Sequence, residues 1–291
     1  MLYLHVERAG AKSTAPPNFF FRELERRFRP IATFCLVHGK WHDGSCWNLL
    51  ADALKARGHE TVAPNLPLHD GTTSYEQRVQ PAVAALGGAP DPVVVVGHSL
   101  AAVYAPLVAV SRRESLLVYL CPAPAGPLAR SGAPMNAGRE GFPFPPNRPD
   151  GTSVWEPQAA IDAMYPRLPD EMARAAAGNL HPAAPAAGAY PLAGQPDVRT
   201  ALVYATEDEI FEPAWERWVA RERLGVEPSR CLAGTSRCSS ARTRSRTCSV
   251  VWRPNRASHR RGTFSGGVAT RGARCRGPAA GLATLLVPGS K

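Results

Sequence analysis

The sequence predicts an α/β fold in which a mainly parallel β-sheet is wound by helices on both faces. Short apolar runs of strand length alternate along the chain with helical patterns of about ten to fifteen residues. One of these runs, PVVVV, is apolar at every position, which is typical of a strand buried on both faces. Alternation of this kind indicates a parallel sheet between two layers of helices.

The predicted elements follow one another from residue 31. The first strand is ATFCLV, which ends at the turn signal His38-Gly39. A helix over WNLLADALKARGH then stops at Gly58, and HETVAP resumes as a strand. The next segments are predicted to be helix, strand, helix and strand: SYEQRVQPAVAALGG, PVVVV, LAAVYAPLVAVS and SLLVYLC.

Composition divides the chain into three parts. Residues 1–30 have no regular pattern, and we interpret them as an unstructured extension. The α/β domain is expected over residues 31–228, with an inserted helical lid at about residues 122–196, where Pro, Gly and Ala dominate. One helical piece, interrupted by prolines, is predicted in the lid from roughly Gln158 to Ala177. After the lid, RTALVYATEDEIF predicts a strand that ends in acidic residues, and PAWERWVARERLG predicts a helix.

The net charge of +10 comes from the C-terminal tail. Residues 229–291 contain twelve arginines, one lysine and no acidic residue, so residues 1–228 carry a net charge of 10 − 13 = −3. Nucleic-acid binding through this tail is one hypothesis, but the arginines follow no helical face and are accompanied by few aromatic residues. We therefore expect a small-molecule substrate, and neither a nucleic-acid nor a membrane partner.

The cysteines and apolar segments indicate the cellular compartment. The seven cysteines form no CxxC pair and no Cys/His spacing of a zinc site, so we expect free thiols and no metal. No apolar stretch reaches the roughly 18 to 20 residues that span a bilayer, and the first residues lack a continuous apolar signal segment. The sequence therefore predicts a cytoplasmic protein.

Ser99 is the candidate nucleophile. It stands in GHSLA, residues 97–101, between the valine-rich strand and a helix, and this is the context in which G-x-S-x-G forms a strained nucleophile elbow. Ala101 replaces the second glycine and adds one methyl group in a crowded place. A buried structural serine is the alternative interpretation.

Two further segments supply candidates for the other roles in acyl transfer. The turn LVHGKW places the backbone N–H of Lys40 where it can join that of Leu100 to hold an oxyanion, although a plain strand-to-helix turn would look the same. The segment YATEDEIF puts acids at the carboxyl end of a late strand, on the ligand-binding edge of a parallel sheet. Asp208 is the first candidate to orient a base and Glu207 the second, with an exposed loop carboxylate as the alternative.

In this order, VHGKWHDGSCW, VVVVGHSLA and TEDEIFEPAWERW resemble the α/β-hydrolase fold family, in the branch of the plant methyl-ketone and methyl-salicylate esterases and the hydroxynitrile lyases. The resemblance covers about residues 31–228 and implies a doubly wound, mainly parallel sheet with an inserted helical lid. It also implies a serine hydrolase that acts on small-molecule esters through an acyl-enzyme on Ser99, with Asp208 as the acid and no cofactor. A hydroxynitrile-lyase-like reaction and an inactive ligand-binding homologue are the alternatives.

The catalytic histidine of such a family is missing from this chain. The family places it in a Gly-Gly-His-like motif after the last strand, whereas the only histidine after Asp208 is His259, in the basic run NRASHRRG. If the codons are read two bases along, with mostly G- or C-ending choices, Cys231 to Ser249 becomes SGGHFPMLERPDALADLL, which contains such a motif. We therefore interpret residues 229–291 as a basic tail that is either disordered or produced by a shift of reading frame.

Overall fold

One parallel sheet forms the centre of the molecule. The computed structural model describes residues 31–112, 115–129 and 132–230, together with the backbone of residues 231, 248–249 and 286–287. Six strands pair in the order β2-β1-β3-β4-β5-β6, and every neighbouring pair is parallel. These strands are β1 (Thr33–Val37), β2 (Glu60–Val62), β3 (Val93–His98), β4 (Leu116–Leu120), β5 (Arg199–Ala205) and β6 (Ser229–Cys231). Two short strands, β7 (Cys248–Ser249) and β8 (Leu286–Val287), form a separate antiparallel pair.

Six α-helices are present in the described residues: α1 (Asn48–Lys55), α2 (Tyr75–Ala85), α3 (Ala105–Ala109), α4 (Pro157–Met164), α5 (Asp170–Gly178) and α6 (Pro213–Trp218). Helix α6 continues into a π-helical turn over Val219–Arg223. Three 3₁₀ turns cover Gly44–Trp47, Ser99–Ala102 and Gly126–Leu128. The parallel α/β sheet predicted from the sequence is confirmed.

Two elements differ from the sequence prediction, and one agrees with it in detail. Strand β6, which the sequence does not predict, pairs with β5 at residues 229–231. The predicted lid helix is interrupted by prolines as expected, since Pro166 and Pro169 lie between the two helices α4 and α5 and proline cannot continue a helix. The helix predicted after Ser99 begins as a 3₁₀ turn and resumes at Ala105, where Pro106 lies in the first turn and needs no N–H partner.

The first face of the sheet is the more completely covered of the two. Successive strand residues point to opposite faces, and the fully buried residues Val93, Val95, Leu117 and Tyr119 all belong to this side. Helices α2 to α6 all contribute side chains to the apolar cluster that contains them. This face therefore holds the larger part of the core.

The second face is covered less completely. Its core residues Phe34, Leu36 and Val96 pack with helix α1, which alone among the described helices contributes to this cluster. Val94 and Val118 lie on the same face and are only partly buried. Apolar strand residues on this face are expected to be buried by helices, and among the described helices α1 buries only part of them.

The lid is attached to the main domain by several hydrogen bonds. Trp41 Nε1 donates to the Ser153 carbonyl oxygen at 3.1 Å, and the His181 N–H donates to the Trp41 carbonyl oxygen at 2.8 Å. The fully buried Arg78 on α2 donates to the carbonyl oxygens of Ala184 and Pro185, each at 2.9 Å. None of the helices within residues 31–112, 115–129 and 132–230 combines the length and the hydrophobicity of a membrane-spanning segment.

Candidate active site

A cavity of about 380 Å³, including its open mouth, lies at the carboxyl edge of the sheet. Ser99, Lys40 and Asp208, which are far apart in the sequence, all line it. Leu100, the remaining predicted site residue, adjoins Ser99 and is not part of the lining. The other lining residues are Gly39, Trp41, His42, His98, Cys121, Met164, Ile210 and Phe211.

Ser99 occupies a sharp turn between strand and helix. It directly follows β3, and its φ of 52° is in the left-handed region that non-glycine residues rarely adopt. Its carbonyl oxygen accepts a hydrogen bond of 3.0 Å from the Ala123 N–H, which fixes the turn to the loop after β4. The strained backbone is what a nucleophile elbow requires to project a serine side chain above the sheet.

Of the two small residues that flank the serine, Gly97 is the one that the packing requires. A Cβ atom at Gly97 would lie 2.5 Å from the Ala105 Cβ and 2.9 Å from the Ala101 carbonyl oxygen. Ala101 itself is fully buried, so the packing accommodates the methyl group that replaces the second glycine of the motif. The departure from the G-x-S-x-G pattern therefore leaves the turn in place.

Gly97→Ala should reduce the free energy of unfolding by about 1 to 3 kcal/mol, because the added methyl group must displace packed atoms of α3 and the turn. Urea unfolding followed by circular dichroism measures this change. Gly88→Ala is the matched control, since a Cβ there meets nothing within 4 Å, and it should change stability by less than about 0.5 kcal/mol. Equal stability of the two variants would contradict the packing argument.

The turn after β1 is held by two histidines. His38 is fully buried, its Nε2 accepts from the Leu66 N–H at 2.9 Å, and its Nδ1–H therefore donates to the Gly39 carbonyl oxygen at 3.0 Å. The His42 N–H donates to the same oxygen at 3.4 Å. Because C=O and N–H point in opposite directions across a trans peptide, the Lys40 N–H points away from His38.

Gly39 brings this turn against the candidate nucleophile. A Cβ atom at Gly39 would lie 3.2 Å from the Ser99 Cβ and equally close to the backbone oxygen of His98. Glycine permits this close approach of the two backbones. The Lys40 amide is thus carried to the same side of the cavity as Ser99.

Neither histidine that lines the cavity is suited to act as a general base. Burial lowers the pKa of His42 to about 4 and that of His98 to about 3, far below the operating range of a base at neutral pH. His42 is also engaged on both nitrogens, with the Lys40 carbonyl oxygen at 2.7 Å and the Tyr165 hydroxyl at 3.0 Å. The His98 ring packs edge-on against Trp47.

Asp208 faces the cavity and Glu207 does not. Asp208 is 8% exposed, and its Oδ1 accepts from the backbone N–H groups of Ile210 at 2.7 Å and Phe211 at 2.9 Å. Glu207 forms an ion pair with Arg167 at 2.7 Å on the surface. The geometry therefore favours Asp208, the first of the two candidate acids.

Sequence reasoning missed two groups beside Asp208. The Cys121 sulfur, the Glu216 carboxylate and the Asp208 carboxylate all lie within 4.8 Å of one another, and all three residues are buried. Cys121 follows the carboxyl end of β4, so its position on the parallel strand is a signal that could have identified it. Glu216 lies within WERW on α6, where nothing in the pattern distinguishes it from a surface glutamate.

Comparison with known proteins agrees with this architecture. The sequence model of the alpha/beta hydrolase family matches residues 36–238. No protein of curated function matches the chain by sequence.

Solved structures of similar fold include a pyrethroid hydrolase from Sphingobium faniae JZ-2, with 20% identity and a TM-score of 0.57 over 70% of this chain and 90% of that one. Polyneuridine aldehyde esterase, in a mutant form, is 18% identical with a TM-score of 0.55, over 70% and 92% of the two chains. Tomato methylketone synthase I bound to 2-tridecanone is 16% identical with a TM-score of 0.52, over 69% and 89%. Since the family model covers more than half of the sequence, the chain belongs to the alpha/beta hydrolase family.

Proposed function

We propose that this protein, with its reading frame restored, is a serine hydrolase of small-molecule esters that works through an acyl-enzyme. One observation carries the proposal: Ser99, Lys40 and Asp208, which come from three separate segments, line one cavity at the carboxyl edge of the sheet. Parallel α/β sheets bind their ligands at this edge. The strained turn at Ser99 and the buried, backbone-bonded Asp208 support these roles.

Each group at the site has one role in the proposed reaction. The Ser99 hydroxyl attacks the ester carbonyl carbon, a base takes its proton, and the backbone N–H groups of Lys40 and Leu100 hold the oxyanion. The ester C–O bond then breaks, the alcohol leaves with that proton, and water releases the acid from Ser99. Asp208 orients and stabilises the protonated base, which we propose is a histidine encoded in the shifted frame.

The comparisons support this class of reaction. Two of the similar structures bear the names of an esterase and a pyrethroid hydrolase, and both share the fold of this chain. We further propose a cytoplasmic location. Its support is that Cys35 and Cys46 form no disulfide, as is usual in a reducing compartment.

A ligand-binding protein without turnover is the second candidate. It is favoured by the low pKa values of His42 and His98, which leave no effective base among the cavity-lining residues that the structure describes. An oxyanion hole and bound substrate alone still give roughly 10³ to 10⁴-fold acceleration over water. Slow acylation of Ser99 would therefore separate a disabled hydrolase from a pure binding protein.

Prolonged incubation with a fluorophosphonate, which forms a phosphorus–oxygen bond to a reactive serine and releases fluoride, tests the proposal. We expect mass spectrometry to find one adduct, on Ser99, and we expect Ser99→Ala to lose it. Ser111→Ala is the control, because Ser111 is exposed at the end of α3 and its replacement should leave the labelling intact. Labelling that persists in Ser99→Ala would contradict the proposed nucleophile.

A further inference from the structure

The side chain of Lys40 has no carboxylate partner in the part of the chain that the structure describes. Lys40 lines the cavity, and its Nζ lies 4.6 Å from the centroid of the Trp41 ring. Burial against the cavity wall lowers the pKa of Lys40, because the ammonium group has lost part of its water. A cation in this position gains from any anion that enters the cavity.

Four acids around the cavity have other partners. Asp43 accepts from Ser45 and lies 3.1 Å from His181, and Asp208 accepts from two backbone amides. Glu207 and Glu209 both pair with Arg167. Lys40 is therefore left as a positive charge that these neighbouring acids do not neutralise.

The remaining side chains around the cavity are largely apolar. Trp41, Met164, Ile210 and Phe211 line it, so a ligand must carry an apolar body. We propose that the Lys40 ammonium group binds a carboxylate of the substrate, so that the site takes apolar esters that also carry a carboxylate. This inference rests on the proposed hydrolase function and specifies its substrate class.

The same residue would then act in two ways. In the proposed reaction its backbone N–H holds the oxyanion, while its side chain would bind the carboxylate of the substrate. A lysine ammonium recognises a carboxylate as a compact point charge, and in a partly desolvated site such a bond is stronger than the same contact in water. Lys40 is thus assigned to substrate choice through its side chain.

Tryptophan fluorescence titration with 4-phenylbutyrate and its amide, 4-phenylbutanamide, tests this assignment. The two probes have the same shape and differ by one charge, and neither is an ester that the enzyme could hydrolyse. We expect the carboxylate to bind about tenfold more tightly than the amide. In Lys40→Met this ratio should fall to about one, and Lys40→Arg should retain most of it.

Lys55→Met is the matched control, because it removes the same charge from an exposed position at the end of α1 and should keep the tenfold ratio. Equal affinity of the two probes in the unmodified chain, absence of carboxylate binding, or an unchanged ratio in Lys40→Met would overturn the proposal. Since the probes report binding alone, the outcome is independent of Ser99 reactivity. A chain whose Ser99 is not labelled can still prefer the carboxylate probe, and a chain whose Ser99 is labelled can lack that preference. The two proposals can therefore fail separately.

Discussion

A variant whose codons 231 to 249 are translated two bases along, called here the restored chain, should have a higher kcat/KM for p-nitrophenyl butyrate than the present chain. We expect the increase to be at least about 10³-fold. The shifted reading, SGGHFPMLERPDALADLL, replaces a basic segment by one that contains a histidine. Serine is a weak nucleophile without a neighbouring base, and removal of a triad histidine costs several orders of magnitude in rate. Restoring that base should recover the loss.

The position of β6 supports this expectation. Its last residue, Cys231, pairs with Ala205 of β5, and Asp208 follows Ala205 by three residues at the same sheet edge. In the shifted reading, the histidine codon straddles Gly234 and Thr235, soon after the end of β6. The chain would therefore leave two adjacent parallel strands on the same side of the cavity, with the acid after one and the base after the other.

The second face of the sheet supplies an independent reason for the shifted frame. Val94 and Val118 are only partly buried there, and α1 is the one described helix that packs into the cluster. The shifted reading ends in the amphipathic segment MLERPDALADLL, which has the apolar period of a helix. We expect the restored chain to unfold at a higher temperature as well as to gain activity.

The histidine of the shifted frame provides the control for the rate measurement. Its replacement by alanine in the restored chain should return kcat/KM to the level of the present chain, while leaving most of the gain in thermal stability. A gain in rate that survives this replacement, or a restored chain that is no faster, would count against the reading-frame hypothesis.

The sequence predicted the strands better than it predicted the connections between them. The valines of β3 and the apolar run of β5 form continuous apolar segments, which is the pattern of strands covered on both faces. Both strands lie at the positions predicted from the sequence. The lid and β6 have weaker signals: prolines divide the predicted lid helix, and Ser229–Cys231 is too short and too polar to be recognised as a strand. What makes it a strand is hydrogen bonding to β5, which is a tertiary effect.

The candidate site was predictable where a backbone motif defines it. The turns at Gly39 and Gly97 follow from local sequence, and they carry Lys40 and Ser99. The neighbours of Asp208 were not predictable, because Glu216 reaches it from α6 through packing that no short sequence pattern encodes.

In the restored chain, Asp208→Asn should lower kcat by about 10³ to 10⁴-fold, whereas Glu207→Gln should change it by less than about threefold. Both substitutions remove one carboxylate charge from neighbouring positions, but only the Asp208 carboxylate is buried at the cavity and fixed by two backbone N–H groups.

An amide at position 208 can still accept those two hydrogen bonds, so the fold should be retained while the charge that stabilises a protonated base is lost. Glu207 instead shares Arg167 with Glu209 on the surface, so its loss leaves the arginine paired. Single-turnover kinetics with a p-nitrophenyl ester separates acylation from ester binding. Equal losses in the two variants, or a larger loss in Glu207→Gln, would reject Asp208 as the acid. If only Asp208→Asn slows acylation, the Asp208 carboxylate acts in the acylation step by stabilising a protonated base, which is the role proposed for the histidine of the shifted frame.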